Sequence, residues 1–220
     1  VLNTRAAAEL VERAREDLAP AENRLVALVE SGEAGLDVVG ALAAEQRRVI
    51  DSDWRTFLHL AGSARDVSAR SFFTSCAQGE AVALDALEPL ATACGWDAER
   101  VAAHRPQPGC QAYPAFLSWL SVQRDTPDAL LAVLVNFPAW GGYCARLAAA
   151  LRTRHGVDDA ACAFFDFFAT PVPELEELAL TAVQNALDSG WDPAGGLECG
   201  RLLQGYEIMF WDTLAARAAS

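Results

Sequence analysis

Asn136-Phe137-Pro138-Ala139-Trp140-Gly141-Gly142-Tyr143 lies inside the longest apolar run of a 220-residue chain, and its reading decides the fold. Upstream, Asp125 or Thr126 offers a helix cap. Pro127 suits the first turn, where a missing N–H costs nothing. Downstream, Gly156 after His155 supplies a stop, because glycine takes the left-handed C-terminal conformation without strain. The stretch is therefore the middle of a long buried helix carrying a few polar groups. Tyr206-Glu207-Ile208-Met209-Phe210-Trp211-Asp212 repeats the theme near the C-terminal end, where a carboxylate sits among aromatic residues.

Working outward, helix-compatible segments with short breaks fill the rest of the chain. An early region runs from Leu10 to Val29, which Pro20 can divide, and exits at Ser31-Gly32. Leu36–Ala61 and Val67–Ala93 follow; Gly79 weakens the second without ending it, and Gly95 closes it. His104 to Gly109 is turn-prone. Cys110–Gln123 predicts a shorter helix adjusted near Pro114, and Thr170-Pro171 and Asp192-Pro193 predict two later starts. The fold class is all-α, a helical bundle, with residues 1–220 read as one domain.

Composition narrows the function classes. A 52% hydrophobic content provides for a sizeable core, and a net charge of -13 with a pI near 4.6 argues against nucleic acid or an anionic membrane as partner. With neither a secretion-signal pattern nor a clean bilayer-spanning run, a soluble cytoplasmic protein is expected. Cys76, Cys94, Cys110, Cys144, Cys162 and Cys199 form no Cys-x-x-Cys motif and read as reduced core residues.

Periodicity places carboxylates on apolar faces. Val38, Leu42, Glu45 and Val49 share one helical stripe. A second holds Phe73, Cys76, Ala77, Glu80, Leu84 and Leu87, and a third holds Leu203, Glu207, Phe210, Trp211 and Leu214. A carboxylate removed from water needs hydrogen bonds, an opposite charge or a proton, and the last route raises its pKa toward working pH. Glu207 is the leading acid/base candidate on that ground; the competing reading makes it a fastener between helices, and the same alternative holds for Glu45 and Glu80. Ala139 and Tyr143, four residues apart, are expected to face one cavity, with Asn136 one turn earlier, Trp140 adjacent and Pro138 bending the backbone around it. The phenols of Tyr143 and Tyr113 can donate to a ring nitrogen or a carbonyl, or simply close structural hydrogen bonds. Gly141-Gly142 lacks the context of a phosphate loop and suits close helix packing.

Taken together, Ala112-Tyr113, Phe137 to Tyr143 and Tyr206 to Asp212 give the chain its resemblance to the TenA/thiaminase II family of the haem-oxygenase-like helical superfamily, across most of its length. The resemblance implies a pocket for an aminopyrimidine-related or other small heteroaromatic metabolite, worked on by a cysteine and carboxylates. It matches Tyr113 and Tyr143 to pocket tyrosines and Glu207 to the glutamate associated with proton transfer. It brings the early acidic position to Glu45-Gln46, and an aromatic position to Phe168. It sets Ala139 where the family carries its catalytic cysteine, and a methyl group forms no covalent intermediate. Cys144 does not replace that thiol, being rotated well away around the helix. Cys76 shares a face with Glu80 but lacks any sign of thiolate activation.

The expected site therefore has Glu207 and Tyr143 as catalytic groups. Glu45, Gln46, Glu80, Tyr113, Asn136, Ala139, Trp140, Tyr143, Phe168 and Phe210 are its expected ligand contacts, with water as the nucleophile if hydrolysis persists. No cofactor and no metal are assigned. The alternatives are a noncatalytic metabolite-binding or pathway-interaction protein, and a metal-dependent oxidase using Glu45, Glu80 and Glu207, although His59, His104 and His155 form no helical metal motif. The resemblance also implies a homo-oligomer.

Overall fold

The computed structural model describes residues 4–18 and 22–218, and every regular element in them is an α-helix. In chain order these are α1 (Arg5–Asp17), α2 (Arg24–Ser31), α3 (Leu36–Ser63), α4 (Val67–Ala93), α5 (Ala98–Ala103), α6 (Pro108–Gln123), α7 (Thr126–His155), α8 (Asp159–Ala169), α9 (Pro173–Asp188) and α10 (Ala194–Ala218). The early region is two helices, α1 and α2; Pro20, the expected divider, lies outside the described residues.

Local chemistry explains most of the boundaries. Asn23, Asp66, Asp97 and Asp158 each accept a hydrogen bond from a first-turn amide, at 2.8 to 3.1 Å, which satisfies one of the donors a helix start leaves open. Gly32, Gly95 and Gly156 take positive φ values of 81°, 76° and 67° where chains leave helices, as the expected stops require. Three expectations shift. Asp125 is the N-cap of α7, but its side chain makes no cap hydrogen bond. The helix expected from Thr170-Pro171 begins at Pro173, because a proline at the first position fits there and the exposed 170–172 segment is extended. The helix expected from Asp192-Pro193 begins at Ala194. Helices α5 and α8 were not anticipated; one is six residues long and the other is apolar nearly all round.

The chain folds around two hydrophobic clusters. One gathers α2, the first half of α3, the second half of α4, the C-terminal half of α7, α8 and the end of α10 around Leu42, Ile50, Phe164, Phe165 and Trp211. The other gathers α1, the rest of α3, α4 and α7, α6, α9 and the start of α10 around Phe57, Phe72, Phe73, Leu117 and Leu120. By length and apolarity alone α7 meets the test for crossing a membrane, a departure from the expected absence of such a run; here it is a core helix packed on α2, α8 and α10.

Pro138 interrupts the hydrogen-bond ladder of α7 and leaves the Leu134 carbonyl without its usual helical donor. The Arg15 guanidinium of α1 donates to that carbonyl at 3.1 Å and pairs with Glu176 of α9 at 2.7 Å. A proline in the middle of one helix thus fixes two others beside it.

Candidate active site

Where the two clusters meet, the helices leave a cavity of about 760 Å3, lined mainly by aromatic and aliphatic side chains. Phe57, Phe72, Phe137, Trp140, Phe168 and Phe210 supply much of its wall. Its exposed rim runs from Thr170 to Val172 and along α9 at Glu174 and Glu176, with Arg15 across from it. Gly141 lets α8 come close: a Cβ there would stand 2.9 Å from the Phe168 carbonyl oxygen. That approach carries Phe168 to the cavity, where its ring meets Trp140 edge-on at 5.8 Å.

Glu207 is buried, 2% exposed, and both its oxygens are held. Asn136 Nδ2 donates to Oε2 at 2.7 Å and Trp211 Nε1 to Oε1 at 3.1 Å. The second N–H of the Asn136 amide goes to Gln204 Oε1 at 3.0 Å. Loss of hydration pushes the Glu207 carboxyl up to about 7, against the downward pull of the Trp211 and Asn136 donors. The arrangement fixes the carboxyl in place and leaves it able to gain or lose a proton near neutrality.

Two further acids face the same space. Asp53 of α3 is 4% exposed, no hydrogen bond is made by its side chain among the described residues, and its Oδ1 is sealed from solvent. Burial raises its pKa well above the usual carboxylate value, and the charge of Glu80 raises it further. Glu80 of α4 retains some surface toward the cavity, yet protein crowds it closely enough that burial raises it to about 8. The hydroxyl of Tyr113 is pushed up by burial, then by Asp53, Glu207 and Glu80, so it stays a neutral donor. Cys76, on the cavity wall, is pushed up by burial and by Glu80, the reverse of what a thiolate nucleophile needs.

Of the expected contacts, Gln46, Glu80, Tyr113, Asn136, Trp140, Phe168, Glu207 and Phe210 line the cavity. Glu45, Ala139 and Tyr143 do not, and one physical reason covers the first two. Successive helical residues point about 100° apart, so beside Gln46 the neighbour Glu45 turns away, as Ala139 does beside Trp140. Glu45 is fully buried elsewhere and accepts from His104 Nε2 at 2.7 Å, the Gln107 amide at 2.8 Å and Gln111 Nε2 at 2.7 Å. Ala139 packs against the first hydrophobic cluster. Tyr143 lies behind the wall, its ring edge-on to Trp211 at 5.6 Å, and burial raises its phenol to about 12.

Asp53 escaped the sequence reading although the signal was present. Gln46, Val49, Asp53 and Phe57 recur at helical spacing and form the cavity-facing stripe of α3, which overlaps the stripe through Glu45 at Val49 and lies to the side of it away from Glu45. The carboxylate trio expected for a metal, Glu45, Glu80 and Glu207, is not assembled, since Glu45 belongs to the His104 network; among the described residues no group of three His, Cys, Asp or Glu is placed to hold an ion. The sequence has no lysine, which rules out a Schiff base formed by this chain's side chains.

No protein-family model matches the sequence, and no curated protein matches it. Solved structures do. A domain of unknown function with a heme oxygenase-like fold from Shewanella denitrificans has a TM-score of 0.76 at 14% identity, covering 96% of this chain and 90% of that one. A TenA family transcription regulator from a Silicibacter species has a TM-score of 0.67 at 18% identity, covering 96% and 94%. A TenA homologue from P. horikoshii has a TM-score of 0.66 at 14% identity, covering 98% and 97%. The fold is thus the haem-oxygenase-like helical fold, seen also in these TenA structures at 14% to 18% sequence identity.

Proposed function

We propose that this protein binds a small nitrogen-containing heteroaromatic metabolite in the cavity and moves a proton on it with Glu207. The observation that carries this reading is the Glu207 carboxyl, fixed on both oxygens by Asn136 and Trp211 and brought to about 7 by burial, on the wall of an aromatic-lined cavity. A general acid or base works best when its pKa lies near the operating pH and its geometry is set in advance.

The remaining wall suits a flat ring with polar edges. Trp140, Phe168 and Phe210 offer faces and edges for stacking, the Asn136 carbonyl oxygen can accept from a ring amino group, and the Tyr113 hydroxyl can donate to a ring nitrogen. Aminopyrimidine-related compounds, the class implied by the resemblance to TenA proteins, have those features. With Cys76 held as a thiol by burial and Glu80, a hydrolytic version of the reaction takes water as nucleophile. Water attacks the carbon bearing the leaving group, Glu207 takes a proton from that water, and it returns the proton to the leaving group as its bond to carbon breaks.

The second reading is a binder without turnover, and the absence of an activated thiol on the cavity wall favours it over a covalent mechanism. Incubating the protein with a panel of aminopyrimidines and following binding and products by mass spectrometry separates the two. Conversion that slows sharply in Glu207→Gln supports the enzymatic reading. Stoichiometric binding without product supports the binder, and failure to bind any of the panel rejects the ligand class.

A further inference from the structure

We infer that Asp53 and Glu80 form a second polar subsite in the cavity, which with Gln46 receives the ammonium or amidinium group of an amphipathic ligand. This rests on the cavity being a ligand site, but not on Glu207 acting as acid or base.

The argument starts from an imbalance. Burying one carboxylate without a partner is costly, and burying two side by side is worse, unless protons or a cation offset their charge. Elsewhere in this chain buried or half-buried acids are matched: Glu45 has three donors, and Asp166 has Arg152. Asp53 has none among the described residues, and neither Lys, His nor a buried Arg lines the space in front of it. Arg15, the cation on the cavity wall, is committed to Glu176 and the Leu134 carbonyl.

Gln46 is the independent observation. It is 3% exposed, lies on the same stripe of α3, lines the cavity, and its side-chain amide has no hydrogen-bond partner among the described residues. Its polar atoms, unlike Oδ1 of Asp53, are not sealed off, so the amide is open to the cavity, where an incoming polar group can take the place of water. An amine head carries several N–H donors, enough to meet the two carboxyls and the Gln46 carbonyl together. Phe57, one turn after Asp53 on the same stripe of α3, and Phe72 line the same cavity, so its wall offers aromatic rings as well as charge to a cation. The cavity is also much larger than one pyrimidine ring, leaving room for an apolar body between this subsite and Glu207.

The charge balance is simple. Burial makes both carboxyls hold protons more tightly than in water. One bound ammonium offsets the charge of one carboxylate, whose proton passes to solvent, while the other carboxyl keeps its proton and donates or accepts a hydrogen bond.

The test compares 2-phenylethylamine with 2-phenylethanol, which has nearly the same shape and no charge at pH 7, by calorimetry on the full chain. The amine is expected to bind at least tenfold more tightly. Asp53→Asn and Glu80→Gln should bring that ratio close to one, while Glu207→Gln leaves it within twofold. Each variant is first checked for its helical spectrum and thermal midpoint; Glu80→Gln, at the cavity surface, serves if Asp53→Asn does not fold. Equal binding of amine and alcohol, or a tenfold preference that survives Glu80→Gln, overturns the subsite. A preference lost in Glu207→Gln but kept in Glu80→Gln also overturns it and moves the cation to Glu207. Failure of aminopyrimidine turnover with the amine preference intact would reject the acid/base reading and leave this subsite standing.

Discussion

Glu45 and Glu207 are both buried glutamates on long helices, and they do opposite things. Glu45 is closed on all sides by donors: a histidine, a backbone amide and a glutamine, drawn from the segment between α5 and α6 and from α6 itself. It ties those elements to α3. Glu207 is held by two donors but stands on a cavity wall, and burial leaves its carboxyl poised near 7. Burial of a carboxylate therefore does not by itself mark function. What separates the two is whether the neighbours use up the charge or leave it facing an opening.

The sharpest way to test that contrast is to neutralise the cavity member. Glu207→Gln keeps the shape and removes the proton exchange, but it leaves one acceptor oxygen for the two donors, so either Asn136 or Trp211 loses its partner. If turnover on an aminopyrimidine is found, this change is expected to lower kcat by about 10²–10⁴-fold, the usual worth of a general acid/base. The thermal midpoint should fall by the equivalent of what one stranded buried donor costs, about 1–3 kcal/mol, while the helical spectrum is kept. Unchanged kcat would make Glu207 a fastener like Glu45.

The complementary change removes the structural member. Glu45→Ala strands His104, the Gln107 amide and the Gln111 side chain in the interior without their acceptor. Leaving donors without their acceptor in this way destabilises by about 1–3 kcal/mol for each stranded group that water does not reach. Urea unfolding measures it, and ligand affinity of the folded fraction should be preserved, since Glu45 does not line the cavity. A loss below about 1 kcal/mol would show that water replaces the carboxylate, in the range of an exposed pair.

The cavity acids also give the protein an unusual pH response. Glu207 and Glu80 bind protons more tightly folded than unfolded, with folded values of about 7 and about 8 against ordinary values of 4.5. Between those limits the folded state holds more protons than the unfolded one. Their contribution is therefore fully present below about pH 4.5 and is lost as pH rises through 7 to 8. Each such proton contributes a slope of up to ~1.4 kcal/mol per pH unit, reduced for Glu80 by its partial exposure to the cavity. Glu30 and Asp37, lowered by arginine partners, act in the opposite sense, but only below their unfolded values near 4.5 and 3.8. Denaturation followed from pH 5 to 8 should show stability falling, and Glu80→Gln should flatten the curve above neutrality. A flat wild-type profile would show that the cavity acids are solvated.

How far the molecule was legible in sequence follows from the same distinction. The helices of the core were readable because apolar spacing, capping Asp residues and positive-φ glycines are local signals, and α4 and α7 begin and end where those signals lie. The faces of the helices were readable to within one residue. Which neighbour meets the cavity was not, because a step of 100° around a helix decides it, and that step is fixed by packing between elements distant in the chain. Hence Gln46 lines the cavity where Glu45 does not, and Trp140 where Ala139 does not. The role of Arg15 was also out of reach, since the carbonyl it satisfies is freed by a proline far away in sequence.

That one-step error yields the prediction with the smallest expected effect and a clear control. If Ala139 stood at a reactive position, Ala139→Cys would restore a nucleophile. Its side chain, partly buried, packs against the hydrophobic core and not on the cavity wall, so the new thiol should be inert toward a cavity-directed alkylating agent, and stability should change by less than about 0.5–1.5 kcal/mol. Asn136→Cys is the contrasting variant, because Asn136 lines the cavity and its amide nitrogen lies 2.7 Å from Glu207 Oε2. A thiol there faces the cavity, so a cavity-directed alkylating agent should reach it, while burial and the Glu207 charge hold it protonated as burial and Glu80 hold Cys76. Labelling should therefore speed up in a Glu207→Gln background. Rapid labelling of Ala139→Cys with an inert Asn136→Cys would reverse the assignment of faces on α7 and put position 139 on the cavity wall.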